Sequence, residues 1–197
     1  HSYIFNIPFF NEEVIREAIN NAIAHRDYRR TSEVVIKQYP QKMVIMNAGG
    51  FPSGVNLDNL LRVQSTPRNR LLADVLAKTG IVERSGQGVD KIFKNTLSEG
   101  KDAPDYTHSD PFRVELHLSA TIKDKAFAMF LNSEQRDLPE EERLSVFEVI
   151  ALNKIRQGDS QQVAKEMIDK LLNRGLIEKR GKTRGVYYIL AKSYYEI

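Results

Sequence analysis

Cysteine is absent from the 197 residues, which excludes a disulfide scaffold, a thiolate metal site and a thiol nucleophile. Long apolar runs are absent as well. Met43-Val44-Ile45-Met46 and Ala126 to Leu131 fall far short of the roughly 20 residues that a membrane-spanning helix needs. Ser2 to Phe10 lacks a basic start, and Asn11-Glu12-Glu13 ends its apolar stretch, so no signal peptide is read there. Charge of one sign is scarce: 29 Lys+Arg against 26 Asp+Glu leaves +3, which by itself identifies no partner. What is present, 41% hydrophobic and 28% charged residues, is ordinary for a globular protein that buries a core. Composition therefore predicts a soluble, cytoplasmic protein of one medium domain or a domain with an appendage.

Asn11 suits the N-cap of a helix over Glu12 to His25, with Glu12 and Glu13 favourably placed in its first turn. Two strands, Glu33 to Gln38 and Lys42 to Asn47, read as a hairpin around Pro40-Gln41. A glycine loop, Ala48 to Pro52, follows. Short helical patterns cover Leu57 to Arg62 and Arg68 to Lys78, the second stopped by Gly80. A further helix runs from Val89 to about Ser98, and Phe112 to Leu118 alternates like a half-buried strand. Beyond it the pattern predicts helices over Ala120 to Leu131, from Pro139 onward, and from an Asp159/Gln162 capping box to Asn173. Leu144 to Asp159 does not resolve cleanly. Two strands, Leu176 to Lys179 and Val186 to Leu190, close the chain, and the simplest division falls near 119–122.

Glu17 and Asn21 lie four residues apart on one helix face, with His25 a turn further. An amide oxygen there can ligate Mg²⁺, and a carboxylate can orient or deprotonate a water. The same spacing is also common on the wet face of an amphipathic helix. Asn47-Ala48-Gly49-Gly50 follows a strand, where glycine lets backbone approach a ligand. Ser85-Gly86-Gln87-Gly88 precedes a helix, whose N-terminus can hold phosphate. Arg26, Arg29 and Arg30 cluster with Tyr28 and read equally as a phosphate contact or as a solvated helix end.

Residues 11–118 resemble the divergent GHKL-type ATPase module of bacterial proteins described as RecG-related transcriptional regulators. Arg16 to Tyr28 (REAINNAIAHRDY), Asn47 to Gly54 (NAGGFPSG), Pro67-Arg68-Asn69 with Leu72-Ala73, and Gly80 to Gly88 carry the resemblance. It implies a sandwich that holds ATP beneath a mobile lid, formed here by residues 54–84. By that likeness Glu17 is the water-activating carboxylate and Asn21 the Mg²⁺ ligand. Asn47 takes the adenine-reading position beside Gly49 and Gly50, while Gly86 and Gly88 approach the phosphates. The wider superfamily has Asp at the Asn47 position. Asn offers one acceptor oxygen and a competing donor. No Gly-x-x-x-x-Gly-Lys-[Ser/Thr] stretch exists, so the helicase motor is missing.

The C-terminal segment resembles the helix-to-wing passage of bacterial winged-helix regulators, carried by Asn173 to Tyr188 (NRGLIEKRGKTRGVYY). Val163, Met167, Ile168, Leu171 and Leu172 share one side of its last helix, leaving Gln161, Gln162, Lys165 and Arg174 for a polar face. Around the wing, Arg174, Lys179, Arg180, Lys182 and Arg184 meet one carboxylate, Glu178. Such cations neutralise DNA phosphates, while Gln side chains can read adenine edges. A basic wing can also serve solubility or protein contacts.

The expectation is an α+β chain: a GHKL-like two-layer α/β sandwich over 1–118, truncated at its N-terminus, then a helical linker and winged-helix domain over 119–197. Family members commonly carry a further N-terminal DNA-binding domain, so the chain looks like the C-terminal fragment of a transcriptional regulator. Its expected partners are double-stranded DNA, ATP with Mg²⁺ and a second copy of itself, with no membrane. A GHKL-type ATP hydrolase acting as clamp or motor, and a protein-interaction scaffold with a decayed ATP site, are the alternatives.

Overall fold

The computed structural model describes residues 6–63, 67–81, 87–182, 185–191 and 194. Two compact units emerge, one from residues 6–96 with 101–122, the other from residues 97–100 with 123–197.

The N-terminal unit sets one long helix on a three-stranded antiparallel sheet. Helix α1 (Glu12–His25) begins where Asn11 accepts a hydrogen bond from Val14 N, which satisfies one of the free donors of the first turn. Strands β1 (Val35–Tyr39), β2 (Lys42–Ala48) and β3 (Arg113–Ser119) lie in that order, with β2 central. Opposite residues include Ile45 and Leu116, Met43 and Leu118, and Asn47 and Val114. Strand alternation puts all six on one face. Val14, Ala18 and Ala22 of α1 form a buried core with Met43, Ile45, Leu116 and Leu118. Helices α2 (Arg70–Lys78) and α3 (Gly88–Ser98) complete the set. Gly80, at φ +73°, ends α2; its N–H reaches Ala77 O while Ile81 N reaches Leu76 O, the paired bonds of a Schellman stop.

The helix expected over 57–62 is a run of turns instead. Asn56 Oδ1 accepts from the N–H groups of Asp58 and Asn59, while Asn59 Oδ1 accepts from Asn56 N and Asn59 Nδ2 donates to Gly54 O. Asparagine side chains here outcompete the helical backbone for its own donors.

In the C-terminal unit, α4 (Lys125–Gln135), α5 (Val146–Arg156) and α6 (Lys165–Asn173) precede an antiparallel hairpin, β4 (Ile177–Arg180) and β5 (Tyr187–Leu190). Phe127, Phe130, Leu131, Leu144, Leu152, Leu171 and Leu190 are almost wholly buried in one cluster. Three helix starts differ from expectation. Helix α4 begins after Asp124, whose Oδ1 accepts from Phe127 N, rather than at Ala120. The segment from Pro139 makes only a 3-10 turn, Glu140–Glu142, because Arg143 is already extended. Asp159 makes no side-chain cap, and a 3-10 turn, Ser160–Gln162, precedes α6. The real capping box is Ser145 with Glu148, at the head of α5, inside the stretch that sequence left unresolved. Among the described residues no helix is long and apolar enough to cross a membrane.

Candidate functional site

A pocket of about 460 Å³ opens in the N-terminal unit, lined by α1, β2, β3, the start of α3 and the 51–77 segment. That size is ordinary for a small-molecule site. Four of the residues singled out from sequence line it together: Glu17, Asn21, Asn47 and Gly88. Their convergence has a simple origin. Glu17 and Asn21 follow one another up α1, and Asn47 continues the inward face set by Met43 and Ile45. Gly88 opens α3 against both α1 residues. A Cβ there would collide with Glu17 Oε1 and come within 2.9 Å of Asn21 Nδ2.

Polar atoms around the pocket are unevenly satisfied. Asn47 gives its amide to Ala48 O, at 3.3 Å. Asn21 Nδ2 and His25 Nδ1 are buried with no hydrogen-bond partner, a condition that costs free energy unless a ligand or water completes it. Burial, then the Arg68 guanidinium, hold the His25 pKa below the usual imidazole range. Burial raises the Asp90 carboxyl, and burial followed by the Glu17 charge raises the Tyr106 hydroxyl. Tyr106 stacks on Phe93 and tilts against Phe51, forming an aromatic wall.

Gly49 and Gly50 serve packing rather than the pocket. Gly49 sits at φ +88°, where Asp27 Cβ and the Arg68 guanidinium occupy the space of a side chain. Gly50 is pressed against Asp110 O and Pro111. Neither lines the cavity. Gly86 lies outside the described residues. The basic cluster after His25 is engaged internally: Arg29 and Arg30 pair with Asp27, and Arg26 stacks on Tyr28.

Sequence reasoning missed the structural work of Arg68 and Asn69. Arg68 donates to His25 O and Gly50 O, while Asn69 donates to Ala24 O and Arg26 O. Together they satisfy the carbonyls that the end of α1 leaves open and fasten the 67–69 segment beside the pocket. A signal existed in Pro67-Arg68-Asn69, which marked the resemblance without suggesting this task.

On the C-terminal unit, Lys165 opens α6, whereas Gln161 and Gln162 sit in the 3-10 turn before it and not on the helix. These three and Lys179, Arg180 and Lys182 are exposed. Arg180 pairs with Glu178. Arg174 is committed to protein: it donates to Glu148 Oε1 at 2.8 Å and to Glu142 O. Arg184 lies outside the described residues.

Residues 31–116 match the family described as "Putative ATP-dependent DNA helicase recG C-terminal". The matched stretch, similar to that RecG-related, HATPase-like family, holds Asn47 and Gly88 but begins after the helix of Glu17 and Asn21. The crystal structure of the DIP2311 protein from Corynebacterium diphtheriae is similar over 97% of this chain, with a TM-score of 0.74 and 23% identity. The match covers 43% of that protein, so the chain spans less than half its length. At this identity the likeness shows the shared fold alone. No curated protein matches the chain.

Proposed function

We propose that the pocket binds ATP together with Mg²⁺, and that the C-terminal unit is a winged helix holding duplex DNA in a nucleotide-responsive regulator. The convergence of Glu17, Asn21, Asn47 and Gly88 on one cavity of a HATPase-like module carries the nucleotide half. The residues present suit the pair. Asn21 carries an amide oxygen and Glu17 a carboxylate, hard oxygen donors of the kind Mg²⁺ prefers, and the buried Asn21 Nδ2 without a partner is a donor that a phosphate oxygen would meet. Glu17, Asp74 and Asp90 all line the pocket and repel bare phosphates, so the nucleotide is expected to enter with its metal ion. Bound Mg²⁺ supplies charge neutralisation; Asn47 and the Tyr106 wall would hold the base.

Calorimetry with ATP, with and without Mg²⁺, tests this. Asn21→Leu removes an amide whose buried nitrogen has no partner, so its fold should survive while affinity falls about tenfold or more. Gly88→Ala, whose Cβ displaces the Glu17 and Asn21 side chains, should also weaken ATP, with the melting temperature checking that the fold is kept. No heat from ATP under either condition would sink the reading and favour a decayed scaffold. The contact of Glu17 with the head of α3 favours a second reading, hydrolysis: phosphate release that vanishes in Glu17→Gln supports it, and no release rejects it.

For DNA, support comes from the order of helices before an antiparallel hairpin and from exposed Lys165, Lys179 and Lys182. Retention on duplex DNA should fall as salt rises and be lost in Lys179→Glu/Lys182→Glu; unchanged retention defeats it. A two-fold operator would call for a homodimer, and equal DNA affinity with and without Mg-ATP would remove the coupling.

A further inference from the structure

Strand β3 has two faces. Val114, Leu116 and Leu118 turn toward α1 and the pocket, so Glu115 and His117 point to the other side of the sheet. There the 105–108 turn meets the strand through a reciprocal backbone pair: Asp105 N donates to His117 O at 3.0 Å, and His117 N to Asp105 O at 2.8 Å. The Asp105 carboxylate is aimed by its own turn, with Oδ1 accepting from Thr107 N and Thr107 Oγ1. Its Oδ2 stays 3.6 Å from His108 Nε2. The His108 and His117 rings stack at 18° with centroids 4.4 Å apart, so the exposed His108 ring would turn out of the stack to share an ion with His117. One ligand atom each from Asp105, His108 and His117 falls within 4.8 Å of the others.

We propose that Asp105, His108 and His117 form a binding site for a Zn²⁺-type divalent transition ion on the sheet face away from the pocket. Two imidazoles and one carboxylate are the donor set that zinc sites with an open position use. Nitrogen donors select against Mg²⁺ and Ca²⁺, which take oxygen. A histidine ligand commonly leans on a carboxylate that fixes its ring; Glu115 Oε1, 2.7 Å from His117 Nε2, would take that place with His117 ligating through Nδ1. The backbone pair between Asp105 and His117 holds two of the three ligands in position before any ion arrives. The His108 side chain, 56% exposed, leaves the remaining coordination open to water. The ion would fasten the turn whose Tyr106 enters the pocket wall.

Co²⁺ added to the full chain is the probe. One equivalent should give the intense visible absorption of a low-coordinate nitrogen–oxygen site, displaced by one equivalent of Zn²⁺. His108→Ala changes an exposed side chain and should keep the fold, checked by an unchanged melting temperature in chelator, while weakening Co²⁺ about 100-fold or more. Glu115→Gln should weaken it about tenfold. A pale spectrum like that of the free hydrated ion overturns the proposal, as does Co²⁺ binding that His108→Ala leaves intact.

Discussion

Glu148 in the C-terminal unit is 1% exposed, yet its carboxylate has no unmet demand. Oε2 accepts from Ser145 N and Ser145 Oγ, and Oε1 meets Arg174 and Lys170. Asp124 is treated similarly, accepting from Phe127 N, Arg156 and Tyr194 Oη. Arg156 Nε is the exception, a buried donor without a partner, but both terminal nitrogens of that guanidinium are bonded and its plane covers Phe127. In the N-terminal unit, by contrast, Asn21 Nδ2 and His25 Nδ1 are buried and open beside a cavity. Fully paired networks fix a single packing, while open ones await something. The two units thus differ in where their polar groups are spent, one on the fold and the other around the pocket.

The largest test of that contrast is Glu148→Ala. It strips a buried carboxylate from Arg174 and Lys170 and breaks the α5 capping box, so a loss of about 3 kcal/mol is expected. Denaturant unfolding followed in the C-terminal unit measures it. A loss under 1 kcal/mol would mean that the network adds little to the fold. Next comes Asn69→Ala, which removes two side-chain bonds to the end of α1 at a cost of about 1–2 kcal/mol. Amide exchange should speed up across α2 while β2 and β3 stay protected; unchanged α2 exchange would show that the 67–69 clasp is ornamental.

Much of the fold was legible because it rests on local rules. Asn11 marks a start, Gly80 and Gly175 mark stops, a Val-Val-Ile run marks β1 and alternation marks β3; each acts over a few neighbours. Glu17 and Asn21 were legible as a pair for the same reason, since helical spacing alone sets them on one face. Ser145 and Glu148 form the capping box, whereas at Asp159 and Gln162 the pattern matches but the chain turns 3-10. Gly49 and Gly50 were legible only as positions of close approach. Glycine after a strand signals close approach without saying what approaches, and here Asp27, Arg68 and Pro111 do. His108 and His117, nine residues apart in sequence, met only through the pairing of a turn with a strand, which no local pattern encodes.

The smallest effect concerns His25. Its folded pKa lies below the ordinary value of 6.5 because burial, and then Arg68, disfavour the charged ring. As pH falls through about 6.5, the unfolded chain takes up a proton that the folded chain refuses, so stability declines with falling pH until the folded group also protonates. His25→Asn should flatten that slope in the N-terminal unit between pH 7 and 5. Residues 123–197 contain no histidine, and the lowered carboxylates there lose their contribution in the same direction but at lower pH. Burial pushes Glu148 up, but the bonds from Ser145, Arg174 and Lys170 outweigh it and lower its pKa. Its contribution is complete above the ordinary carboxylate range and is lost only as pH drops through the lowered value. Unfolding monitored in each unit from pH 7 to 5 should therefore separate them, sloping in one and flat in the other. Identical profiles in wild type and His25→Asn would show that His25 has room to protonate, and that the pocket is wetter than its unpaired nitrogen implies.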